Sequence, residues 1–91
     1  MARIIPTVGR VVWFYPDDSF IGLYHSPGQP LAALIAHVWG DRMVNLMVID
    51  SGGNPVPVTS VDLLGEDDST EGRGRHATWM PYQIGQAKKH E

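Results

Sequence analysis

The residues of this chain whose types could do chemistry are four histidines, two acidic clusters, a glycine-bearing turn, and a set of arginines and aromatic rings. His25, His37, His76 and His90 match no zinc-ligand spacing, and no His-Glu-x-x-His sequence occurs. His37 lies in an apolar run and reads as a hydrogen-bonded core or interface histidine; a general base would need a nucleophile within about 3 Å. Ser51-Gly52-Gly53 lacks the Gly-Lys-Ser/Thr of a phosphate loop and opens no helix, so it reads as a turn. Asp17-Asp18 and Glu66-Asp67-Asp68 lack the spaced ligands and glycine of a calcium loop and read as solvated acidic loops. Nothing pairs a nucleophile with a base, so the expectation is a non-enzyme without metal or cofactor.

The rings are the more telling set. Trp13, Tyr15, Tyr24, Trp39, Trp79 and Tyr82 are many large aromatics for 91 residues. Core is the default for Trp13 and Trp39. Trp79-Met80-Pro81-Tyr82 lies beside a polar tail and is the expected exposed contact surface, because Trp and Tyr are favoured at interfaces and stacking pockets. Arg42 in a turn, with Arg73 and Arg75 in a glycine-rich loop, could clamp an anion. Rings that stack a base and guanidinium groups that pair with phosphate suit a nucleotide-like anionic ligand. The expected binding set is therefore Arg42, Arg73, Arg75, Trp79, Tyr82 and Tyr24.

These residues need a scaffold. Val8–Tyr15 is rich in β-branched and aromatic residues and reads as a strand, with Val12 and Phe14 on one face and Val11, Trp13 and Tyr15 on the other. Residues 16–30 form a long loop whose Phe20, Ile21, Leu23 and Tyr24 tuck back or add a short strand. The run 31–39 fits helical spacing as well as a buried strand; strand is preferred, because Gly40-Asp41-Arg42 looks like a hairpin turn into the next run. Met43–Asp50 is the clearest strand, with Val44, Leu46 and Val48 pointing one way. Ser51-Gly52-Gly53-Asn54 supplies the next tight turn. In Val56–Leu64, Thr59, Val61 and Leu63 make an inward set while Ser60 and Asp62 point out. Residues 65–75 are polar and flexible, His76–Met80 is a last short strand, and 83–91 is a tail with one helical turn at most. Five short strands with tight turns after the second and third make a single mainly β domain, a small antiparallel meander closing into an SH3-like barrel.

Composition narrows the partners. With no cysteine, thiol chemistry, disulfides and Cys-ligated zinc are excluded. A net charge of −3 disfavours general nucleic-acid binding, which needs a basic face. No apolar run approaches the ~20 residues of a membrane helix. Met-Ala-Arg-Ile-Ile-Pro lacks the apolar core of a secretory signal, so a cytoplasmic protein is expected. A chain this short has a thin core, and oligomerisation is a common remedy, so a homo-oligomer is expected.

Gly9-Arg10-Val11-Val12-Trp13, Pro30-Leu31-Ala32-Ala33, Asp41-Arg42-Met43-Val44-Asn45-Leu46, Thr59-Ser60-Val61 and Trp79-Met80-Pro81-Tyr82-Gln83 resemble, in matching order over most of the chain, a family of small hypothetical proteins of tailed bacteriophages and prophages. That resemblance implies a phage origin and a setting in the host bacterial cytoplasm. It carries over no catalytic residue. It suggests an accessory protein that binds a host component, a defence protein or a nucleotide signal, without catalysis; the alternative is a minor structural or assembly component of the particle.

Overall fold

The computed structural model describes residues 4–17, 23–26, 28–65, 68–69 and 74–89. Five strands and one helix follow in chain order: β1 Val11–Tyr15, β2 Leu31–Gly40, β3 Met43–Ile49, β4 Pro55–Leu64, β5 His76–Thr78 and α1 Pro81–Lys89. The strands neighbour one another in sequence order, and β5 returns to β1 to close a barrel. The run 31–39 is strand, and a mainly β, SH3-like five-stranded barrel is the observed architecture.

Four of the five pairings are antiparallel; β4 and β5 run parallel, with Leu63 opposite Ala77. The connection from Leu64 to His76 explains this. It is about as long as the dozen residues that a return to the same sheet end requires, whereas the two residues between β2 and β3 and the five between β3 and β4 force reversal.

Alternation fills the barrel. Val12, Phe14, Ala33, Val44, Val48 and Ala77 are fully buried, and Trp79 joins them from beyond β5. Burial of each large apolar side chain is worth about 1.5–3 kcal/mol, so a core of this size carries most of the stability. Leu23 packs against the same core, which ties the described end of the 16–30 loop to the barrel. Phe20 and Ile21 lie outside the described residues.

The β3–β4 turn is held by one side chain. Asp50 is buried, and its Oδ1 accepts the backbone N–H of Asn54 at 2.8 Å and of Gly52 at 2.9 Å. The Asn54 N–H above all, with the Asn54 amide and the Gly52 N–H, holds the carboxyl below its ordinary pKa against the opposing effect of desolvation. Gly53 turns the chain at φ 87°, a conformation that side chains rarely adopt.

Two strands change phase. In β2 the inward set Leu31, Ala33 and Ile35 gives way to Val38, because the register slips between Ile35 and His37. In β4, Val58 and then Val61 face inward, because Val44 pairs with Val61 while Leu46 pairs with Val58. Two β4 residues therefore oppose Asn45, and Ser60 takes φ 55°. This bulge corrects the expected inward set: Val61 and Leu63 are buried, Thr59 is exposed.

The C-terminal segment is more ordered than a tail. Pro81 occupies the first helical position, where its missing N–H costs nothing, and α1 runs to Lys89. Gln83, three residues after Met80, accepts the Met80 N–H at 2.8 Å on its Oε1, half of a capping box.

Candidate functional site

A cleft opens between the segment leading into β1 and the face of α1. Its volume is about 390 Å³, within the ~300–1,000 Å³ range of small-molecule sites. Ile4, Ile5, Arg10, Tyr82, Gln86 and Ala87 line it together with Gln83. Gly9, at φ 94°, turns the chain into β1; its N–H donates to the Ile35 carbonyl at 2.8 Å, and the Ile35 N–H donates to Arg10 at 2.9 Å. Those bonds fix the Arg10 backbone. Its guanidinium lies over the Trp79 ring, 5.2 Å from the centroid. Such a contact is worth about 0.5–1 kcal/mol at an exposed site.

The opposite wall is set by Gln83. Besides capping α1, it donates from Nε2 to the Val11 carbonyl at 2.7 Å, so one side chain both starts the helix and fastens it to β1. This leaves Tyr82, 73% exposed, beside the cleft mouth. The cleft thus offers a cation, a ring for stacking, and in Gln86 an amide that donates and accepts. No carboxylate pairs with Arg10 among the described residues.

The described members of the expected binding set do not gather here. Arg42 is engaged by Asp68, whose hydrogen bond raises the guanidinium pKa further. The Asp68 carboxylate also accepts the Gly65 N–H at 2.7 Å, so the described part of the 65–75 loop is tied to the β2–β3 turn. Arg75 is exposed, and its backbone N–H donates to Asp17. Tyr24 is exposed near the β3–β4 turn, its carbonyl accepting the Ser51 N–H at 2.8 Å. Arg73 lies outside the described residues. Of the described residues in the expected set, only Tyr82 lines the cleft, and Trp79 lies beneath Arg10 as a buried support. The expected exposure of Trp79 is corrected: it is 6% exposed and belongs to the core. Arg10 and Gln86 escaped the sequence reading. Pro81 followed by Gln83 is a helix-start signature that would have placed the helix and its wall.

A second exposed feature lies on the barrel exterior. The slip in β2 turns His37 and Trp39 outward, correcting both as core residues; Trp39 is 61% exposed. Its Nε1–H donates to Asn45 Oδ1 at 2.9 Å, and the same oxygen accepts the Ser60 N–H at 2.8 Å. The His37 ring meets Trp39 edge-on at 4.5 Å. Asn45 thereby joins the displaced part of β2 to the bulge of β4. Farther along the same face, register aligns Val11, Leu34, Met47 and Pro57 in one row across four strands. Trp13, Ala32, Ile49 and Pro55 make the next row.

His76 serves the fold. His76 is buried, donates from Nδ1 to the Gly74 carbonyl at 2.8 Å, and stacks on Tyr15 at 5.0 Å. Among the described residues no three His, Asp or Glu side chains gather as a metal site. None of the helices described is long and apolar enough to cross a membrane.

No family model matches this chain, and no curated protein or solved structure matches it either. The resemblance to phage proteins gains no support from these comparisons.

Proposed function

We propose that this protein is a non-enzymatic binding protein that holds a small, ring-bearing anion of the nucleotide class in the cleft between Arg10 and α1. The observation that carries this reading is the Arg10 guanidinium, stacked on Trp79, unpaired by any described carboxylate, and facing a cleft that Tyr82 and Gln86 also line. Guanidinium groups pair with phosphate oxygens, and an exposed phenol ring stacks on a base. The reading keeps the ligand class expected from the sequence and moves its cation from Arg42, Arg73 and Arg75 to Arg10. Capture of such a molecule without turnover would suit a phage-encoded accessory protein that acts on a host nucleotide signal in the bacterial cytoplasm. That setting rests on the sequence resemblance alone.

Native mass spectrometry of the protein purified from a bacterial host, followed by calorimetric titration with AMP, tests the reading. A bound or titratable nucleotide is expected, with affinity lowered at least tenfold in Arg10→Ala and lowered in Tyr82→Ala. Arg42→Ala should leave the affinity unchanged, since its guanidinium is engaged by Asp68. Neither co-purifying ligand nor AMP binding, or an affinity indifferent to Arg10, would sink the cleft as the site.

A further inference from the structure

We infer that the outer face of β1 to β4 is the contact surface between two copies of this chain. This does not depend on the cleft. The two rows through Met47 and Ile49 contain no charged residue across four strands, although the chain as a whole carries a net charge of −3. Val11 and Met47 in the first row remain 38% and 37% exposed, and Met43 beyond the rows is 38% exposed. Large apolar side chains gathered this way on one sheet face mark an interaction surface.

Trp39 sharpens the assignment. A tryptophan offers a partner an apolar ring and one polar hydrogen, but here that hydrogen is already given to Asn45. What remains in solvent is apolar ring held from behind by Asn45 and from the side by His37. A fixed, exposed tryptophan loses little freedom on binding, which makes it a suitable anchor for a contact.

The occupant follows from charge and topology. In a two-fold contact the same patch meets itself, so every charge in it risks facing its own copy. A face free of charge in its centre satisfies that demand, whereas a face shaped for an acidic or basic partner would carry the opposite charge. Strand addition, the other common route to a β dimer, is hindered along the start of β4. The barrel has β5 between β4 and β1, and the part of β4 beyond β5 carries Pro55 and Pro57, which have no N–H to donate. Face-to-face packing meets no such obstacle. It would also supplement the thin core of a 91-residue chain.

Sedimentation equilibrium of the full chain across micromolar to millimolar concentration tests this. The expected result is a reversible dimer whose dissociation constant rises at least tenfold in Met47→Glu, by burying a charge, and at least tenfold in Trp39→Ser, by removing the anchor. Both positions are solvent-exposed, so far-UV circular dichroism should match the wild type; Trp39→Ser, which adds no charge, stands in should Met47→Glu fail to fold. Arg10→Ala, on the cleft, should remain as dimeric as the wild type. A wild-type chain monomeric at about 1 mM, or a dimer indifferent to both variants, overturns the inference. So does a chain that is monomeric alone and uses Met47 only to bind a different protein.

Discussion

Trp39 and Trp79 occupy opposite circumstances, and the contrast separates what the barrel needs from what it displays. Trp79 is enclosed by the core, with only a cation above its ring. Trp39 stands on the exterior with its N–H spent on Asn45. Each is the reverse of what its sequence neighbourhood suggests. Trp39 sits in an apolar strand and is exposed; Trp79 sits between a polar loop and a polar C-terminal segment and is buried. The difference lies in backbone phase. A one-residue slip in a strand moves every later side chain to the other face, and the slip after Ile35 moves His37 and Trp39 out while bringing Val38 in. Past β5, by contrast, the chain crosses toward Arg10 and Val11 before α1 begins, and Trp79 closes the core there.

The largest expected effect tests this division directly. Trp79→Ala removes a buried ring and leaves a cavity, which costs about 3–5 kcal/mol. For a domain of this size that is a large part of the total stability. Trp39→Ala loses one hydrogen bond and an exposed ring contact and should cost about 1 kcal/mol or less. Urea unfolding of the two variants measures both. Similar losses would show that Trp39 supports the fold, and the distinction between the two regions would collapse.

Much of the architecture was legible in the chain because it depends on local chemistry. Val44, Leu46 and Val48 alternate cleanly, and Asp50 to Asn54 spell a tight turn, so β3 and its following hairpin follow from residue type. The run 31–39 could be resolved because a hairpin turn needs a strand before it. The phase changes at Ala36 and Ser60 were not legible. Neither position carries a glycine to flag a bulge; Ser60 at φ 55° is stabilised by the distant Asn45 carboxamide instead. The cleft was only half legible for a similar reason. Tyr82 is a visible ring, but Arg10 becomes a site residue only because Gln83 brings α1 back to β1 over 72 residues.

Gln83 and Asn45 perform the same task for the two regions, since each side chain makes two bonds that tie separate elements together. Gln83→Ala loses the part-buried Met80 bond and the more exposed Val11 bond. At about 0.5–1.5 kcal/mol per bond the loss should reach about 1–2 kcal/mol, with faster hydrogen exchange through α1. Asn45→Ala loses the Trp39 and Ser60 bonds, but water reaches both donors, so about 1 kcal/mol is expected. Its clearer signature is a changed environment at Trp39, seen as an altered indole N–H resonance. An unmoved Trp39 resonance in Asn45→Ala would mean that the ring is held by other contacts. Unchanged exchange in Gln83→Ala would mean that α1 docks by its apolar side chains alone.

The smallest effect comes from the opposite end of β3, and it shows whether Asn45 is special or merely one more polar residue closing a turn. Asp50 also gathers several donors on one side-chain oxygen, and these come mainly from its own turn, with a weaker contribution from the Tyr24 backbone. Its folded-state pKa is lowered, chiefly by the Asn54 N–H. A lowered pKa means that the unfolded chain binds the proton more tightly, so acid favours unfolding. The contribution is fully present above the ordinary carboxylate value of about 3.9 and disappears as pH falls from there through the folded-state value. Wild-type stability should therefore decline with acid in that window, and Asp50→Asn should show a shallower decline. Because none of the lost bonds reaches Asn45 or Trp39, the Trp39 resonance should stay unchanged in Asp50→Asn while it moves in Asn45→Ala. If protonating or replacing Asp50 also moved Trp39, the turn and the outer face would form one coupled unit, and β3 would transmit changes along its whole length.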